Sequence, residues 1–321
     1  MMMPTSWKTY AISTGVLVLM AVPALSETIP MITKSTQSYY FQVMMAGARQ
    51  AGKDLKIDVP ELGPTSFSDI AGQIGILENA VTNKADAIVI SPLDFNALGQ
   101  PITEAATHVP VIGTDSGAET DAFTSMLSTD NRQGGRDAAD ALASAIQSEY
   151  GAPEGGVALL MLMAGQSTLD QRAAGFKEQL AAKYPKIKLV TERLGDGQVT
   201  TALNTMTDII TSNPNLRGVF GSDLVTGAGA GQAIAENGLQ GKVKLVSFDT
   251  DENLVKMLQD GVVSALVVQD PYRMGYAGVK TALAAVRGER IERAIDTGVT
   301  IITKDNMSSQ RSQSLLNPKI D

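Results

Sequence analysis

The chain has 321 residues, 19% of them charged and 5% aromatic, with no cysteine, one histidine and a formal net charge of -8. An acidic balance without a Lys/Arg run excludes nucleic acid as a natural partner. The missing thiols and the single His exclude disulfides, Cys nucleophiles and His-containing metal clusters, so no metal or cofactor is expected.

The N-terminus carries Lys8 on a short polar stretch, then the apolar run AISTGVLVLMA (Ala11 to Ala21), then VPALSE with small residues at Ala24 and Ser26. This layout predicts a cleavable secretory leader over 1–26, because its apolar core falls well short of the roughly 20 residues that a bilayer span needs. Cleavage is expected near Leu25 or Glu27. Removing Lys8 takes the charge from -8 to -9, and no Cys stands at the junction to take a lipid. The expected product is a free periplasmic protein of one large or two moderate domains.

From Thr28 onward, short apolar runs alternate with longer helical patterns. The strand candidates are TIPMIT, IDVPEL, AIVIS, VPVIGT, VALLML, KLVTER, GVFGS, KLVSF and SALVV. Between them, Ile70, Ile74, Leu77 and Val81, and again Val199, Leu203, Met206 and Ile210, repeat at i, i+4, i+7 and i+11. That spacing marks one buried stripe on a helix, and βαβα alternation predicts parallel sheets covered by helices. The halves echo each other: a helix, ADAIVISP, a helix and VPVIGTD in the first; a helix, LRGVFGSD, a helix and KVKLVSFD in the second. A duplicated doubly wound unit is the simplest account, an α/β protein of two similar lobes facing each other.

In open parallel sheets, ligands bind beyond the carboxyl ends of the strands. Polar residues gather at those ends: Lys34 to Ser38, Ser91, Asp115 and Ser116 in the first half, Asp223, Asp249 and Gln269 in the second. After the first strand, KSTQSYYFQ sets Tyr39, Tyr40 and Phe41 side by side; three adjacent rings cannot all face one core from a helix, so one of them is free for a ligand.

Other chemistry lacks its parts. His108, in ATHVP between a helix end and a strand, is read as complementing a helix C-terminus. GAGAGQ (Gly227 to Gln232) has the spacing G-x-G-x-G and lacks the last glycine of a dinucleotide fingerprint, so it reads as close helix packing, while GGRDAAD (Gly134 to Asp140) reads as the glycine-rich start of a helix against a hinge or sheet. SFDTDEN lacks the Gly and Glu of a calcium loop. Two of the three aspartates could still flank a glycosidic bond, which keeps a secreted carbohydrate-active enzyme as an alternative.

SYYFQVMMAGARQAG, VPVIGTD, STDNRQGGRDAA, QRAAGF, GVFGSD, KLVSFD and VVQDPYRMGYAGVKTAL, in this order from Thr28 to about Val299, resemble the ribose-type periplasmic sugar-binding proteins of ABC transporters. The resemblance implies two lobes, 27–128 plus 271–298 and 129–270 plus 299–321, joined by three hinge crossovers near Ser128 to Thr129, Gln269 to Asp270 and Gly298. A sugar or polyol is clamped in the cleft between them without being altered. It further implies Tyr40 and Phe41 as the ligand-facing aromatics, Asp115 and Arg172 as polar contacts, and Asp223, Asp249 and Gln269 on the far side. The implied partners are an ABC permease and, beyond it, a chemoreceptor; a monomer is usual in the family.

Departures from the family pattern are Lys34 in place of a small polar residue, Ser38 for Asn, Ser116 for Arg, Gly197 for an aromatic that closes the second face, and Asp223 for Asn. Lys34 and Arg172 against Asp115, Asp223 and Asp249 leave the first shell at a nominal -1, which disfavours a strongly anionic ligand. A neutral pentose, hexose or polyol is expected, with an amino sugar, or a sugar acid paired with Lys34, as the alternative.

Overall fold

The computed structural model describes residues 1–3, 5, 26–318 and 320; the expected leader thus lies almost wholly outside the described residues. Among the described residues, no helix is long and apolar enough to cross a membrane.

The first sheet contains β1 (Met31–Ile32), β2 (Glu61–Leu62), β3 (Ile88–Ile90), β4 (Val111–Thr114), β5 (Ser125–Ser128) and β11 (Ala294–Asp296), in the order β2-β1-β3-β4-β5-β11. The second contains β6 (Gly155–Met161), β7 (Ile187–Leu194), β8 (Leu216–Gly221), β9 (Lys244–Phe248), β10 (Val263–Val268) and β12 (Thr300–Ile302), in the order β7-β6-β8-β9-β10-β12. The two orders match strand for strand, as a duplication predicts. Every pairing is parallel except β10 with β12. β3 and β4 are buried throughout and β6 from Val157 onward, which is why they read as unbroken apolar runs instead of alternating ones.

The chain passes between the sheets after Ser128, after Val268 and between Asp296 and Thr300. On the first sheet, α1 (Tyr39–Leu55) packs against α9 (Pro271–Val286), while α2 (Ile70–Thr82) and α3 (Gly99–Ala105) cover the other face. On the second, α4 (Asn131–Tyr150) packs on α5 (Ser167–Lys183), and α6 (Val199–Ser212) on α7 (Leu224–Glu236). Asp69 caps α2 by accepting from Gly72 N–H at 2.9 Å, and Leu77 of the predicted stripe is fully buried. The second stripe is correct at Met206 but not at Val199, which is exposed because it is the first helical residue and projects beyond the core. GAGAGQ lies inside α7, packed against α6 and β9. His108 is an exposed turn residue just after α3.

The α4–α5 crossing positions the site. A Cβ on Gly135 would overlap the carbonyl of Arg172, and one on Gly175 the carbonyl of Arg132. The glycines let the two backbones touch, which pins the start of α4 against the second and third turns of α5, where Arg172 leaves the helix.

Candidate functional site

The carboxyl ends of both sheets face one cavity, lined by residues of both. All of the predicted site residues line it except Ser116 and Gln269, which stand one contact behind it, on Lys34 and Asp249.

Asp115 and Asp249 occupy equivalent places after β4 and β9. Both adopt the left-handed conformation, with φ of 62° and 61°. A non-glycine residue in that region costs roughly 1 kcal/mol, and each is held there by its own backbone: Asp115 N–H donates to Leu127 O at 2.9 Å, and Asp249 N–H to Val267 O at 2.8 Å. The twist aims both carboxylates away from their sheets and into the cleft.

Lys34 follows β1 and is buried. Its ammonium lies 2.7 Å from Asp115 Oδ2 and donates to Ser116 Oγ at 2.5 Å and to Gln166 Oε1 at 3.3 Å. Burial pushes its pKa down and Asp115 opposes that shift. An ammonium has three donors, so Lys34 is fully committed to the protein, and a sugar acid would have to compete with Asp115 for it.

Ser38 is the N-cap residue of α1, yet its hydroxyl makes no cap bond, which leaves it open to the cavity. Tyr40 and Phe41 are buried, stack edge-to-face at 5.0 Å, and line the cavity; Tyr39, half-buried, faces the cleft mouth and the hinge instead. Tyr40 OH donates to Asp115 Oδ1 at 3.2 Å, and burial, with Asp115 beside it, raises the phenol pKa.

Arg172 is buried, with its guanidinium 3.6 Å from the centroid of the Phe248 ring. Nε donates to Asn131 Oδ1 and Nη1 to the Ser222 carbonyl, both at 2.8 Å, while Asp249 Oδ2 lies 3.9 Å away. Nη2 has no hydrogen-bond partner among the described residues. Asp249 accepts from Gln269 Nε2 at 3.0 and 3.1 Å. Burial raises its pKa to about 6 against the pull of Arg172 and Gln269.

Asp223 differs from the other two carboxylates. Oδ1 accepts from the N–H groups of Val225 and Thr226, and Oδ2 from the Thr226 hydroxyl at 2.8 Å, so it caps α7. Burial raises its pKa and the Thr226 bonds oppose that. Its carboxylate touches the cavity, but most of its lone pairs serve the helix.

Seven lining residues were missed in the sequence: the aliphatic Leu162, Leu169, Leu224 and Val225, and Phe67, Gln166 and Thr168. Phe67, after β2, lies 6.2 Å from the Phe41 ring and packs directly over Gly197. It supplies from the first lobe the aromatic that Gly197 lacks in the second. Gln166 and Thr168, at the start of α5, face Lys34 and Ser116 across the cleft, with Ser116 Oγ 3.5 Å from Thr168 Oγ1.

Residues 29–290 match the family model described as a periplasmic binding protein domain. A carbohydrate transporter solute-binding protein from Agrobacterium radiobacter, solved with D-arabinose, is 53% identical with a TM-score of 0.90, over 92% of this chain and 100% of that one. An ABC transporter solute-binding protein from Agrobacterium vitis, bound with α-D-tagatopyranose, is 30% identical with a TM-score of 0.86, over 91% of this chain and 99% of that one. The ribose import binding protein of Haemophilus influenzae is 26% identical over 301 residues, 92% of this chain and 99% of that protein. By family model, solved relatives and matched strand order, this chain belongs to the periplasmic binding proteins, in their ribose-type sugar-binding branch.

Proposed function

We propose that this chain is the exported periplasmic receptor of an ABC importer, binding one neutral monosaccharide or polyol as residues 27–128 plus 271–298 close on residues 129–270 plus 299–321. The observation that supports this most strongly is the pair of strained aspartates, one from each sheet, aimed into the same aromatic-walled cavity. Sugar rings present C–H faces and a rim of hydroxyls. Phe41 and Phe67 cover the faces, while Asp115, Asp249, Ser38 and the free Nη2 of Arg172 take the rim in charge-assisted bonds. Lys34, Ser116, Asp223 and Gln269 hold those groups in place. Contacts from both lobes favour the closed form, which the permease, and a chemoreceptor, read.

A neutral ligand fits because Lys34 has no donor left and the buried carboxylates outnumber the cations. The Agrobacterium relative solved with D-arabinose makes that aldopentose the first candidate. The protein acts as a monomer and returns the sugar unchanged.

A thermal-shift screen over pentoses, hexoses, polyols, amino sugars and sugar acids tests the reading. A neutral sugar at 100 times its Kd stabilises by about 2.7 kcal/mol, raising Tm by several degrees. No response across the panel, or conversion of the sugar into a product, would overturn it.

A further inference from the structure

On one side of the cavity the lobes are already stitched together. Phe95 N–H donates to Gly165 O at 2.9 Å, Lys34 reaches Gln166, and Ser116 meets Thr168. The segment Gly165 to Thr168 therefore docks on the first lobe directly at the cluster of Lys34, Asp115 and Ser116. Gln166 is 5% exposed and lines the cavity, but its Nε2 has no hydrogen-bond partner. A buried donor left unpaired is costly, and native proteins seldom leave one without a use.

The amide cannot relieve this by turning over. A flip would set Nε2 against the ammonium of Lys34, where two donors repel, and take from Lys34 the acceptor that it now holds. Lys34 thus fixes which end of Gln166 is presented. Gln166 Oε1 and Asp115 Oδ2 share the ammonium of Lys34, so the site offers an acceptor and a donor from opposite lobes.

We infer that Gln166 is a specificity-determining ligand contact, its amide oriented by Lys34 across the closed cleft so that Nε2 donates to one oxygen of the sugar. The inference rests on the receptor reading above and narrows it: the ligand carries, next to the hydroxyl that Asp115 takes, a ring oxygen or hydroxyl that serves as acceptor. A sugar without that oxygen leaves Nε2 buried and unpaired, and is rejected.

Calorimetric titration tests this with D-arabinose, its monodeoxy analogues and the carbocycle that has CH₂ for the ring oxygen, on the wild type and on Gln166→Leu. Gln166→Met, unbranched and of similar length, repeats the test should the leucine variant fold poorly. The expected result is an affinity loss of about tenfold for D-arabinose in the variant. One analogue, weak on the wild type, should lose nothing further on the variant, because both changes delete the same bond. Equal binding of D-arabinose by variant and wild type overturns the role of Gln166, as does a set of analogues whose losses all add to that of the variant. A wild type that binds no neutral sugar overturns the receptor reading itself and this inference with it.

Discussion

The raised pKa of Asp249 gives the sharpest test of the site. Burial lifts this carboxyl from 3.8 to about 6, while Arg172 and Gln269 pull it down and the nearby charge of Asp115 pushes it up. A sugar hydroxyl donates to the ionised form, so binding favours loss of the proton, and affinity must rise with pH through the free-state value. With a pKa of about 6, roughly nine in ten of these carboxyls are ionised at pH 7 and about one in ten at pH 5, a difference of about tenfold in Kd. Titrations at pH 5, 6, 7 and 8, in buffers of differing ionisation enthalpy, would read both the Kd and the proton released at the lower pH. For the empty protein the sign is reversed. The folded state holds this proton more tightly than the unfolded chain, so the contribution to stability is largest below the ordinary value of 3.8 and is lost as pH rises through about 6. Asp249→Asn should remove both dependences. A Kd that stays constant from pH 5 to 7, or that keeps its slope in Asp249→Asn, would refute the reasoning.

Arg172→Lys keeps the charge but forfeits the fork to Asn131 and Ser222 and the stack on Phe248; sugar affinity, read by calorimetry, should fall by about tenfold or more. Asp115→Ala strands Lys34 as a buried charge and should lower the stability of the empty protein by about 3 kcal/mol, whereas Asp115→Ala with Lys34→Met should recover much of that without restoring binding, both measured by denaturant unfolding. Gly135→Ala forces α4 off the backbone of Arg172 and should destabilise by about 1–3 kcal/mol while weakening binding at a residue that touches no ligand. Phe67→Ala uncovers the face over Gly197 and should lower sugar affinity, read by calorimetry, while leaving the protein folded.

Much of this architecture is legible in the sequence. The buried central strands are continuous apolar runs, and the repeat of VPVIGTD and KVKLVSFD marks the two strand ends that carry Asp115 and Asp249. The strands that escaped notice, β5, β11 and β12, have three or four residues each; SMLS and AID hold no run of buried positions, and β11 and β12 are edge strands, defined by their neighbours more than by their own composition. Ser116 and Gln269 do sit at strand ends, but their side chains turn to Lys34 and Asp249, a choice made by tertiary contacts. Asp223 reads as a ligand carboxylate from its place in GVFGSD, yet two helix N–H groups at the start of α7 claim one of its oxygens.

Three of the missed residues, Phe67, Gln166 and Thr168, had a signal in the duplication itself. β6 is the counterpart of β1, so the segment from the end of β6 into α5, which holds Gln166 and Thr168, mirrors the one with Lys34 and Ser38. Likewise β7 mirrors β2, which pairs the loop of Gly197 with that of Phe67. Following the repeat through every strand end would have found all three. Their contacts across the cleft remain beyond any single-chain pattern, because nothing in either loop encodes the distance to the other.

Small-angle scattering of the wild type with and without D-arabinose tests the central claim, that two lobes close around one neutral sugar. A single compact species whose radius of gyration shrinks as the sugar saturates it is the predicted result. Saturation with no change in that radius would contradict the account.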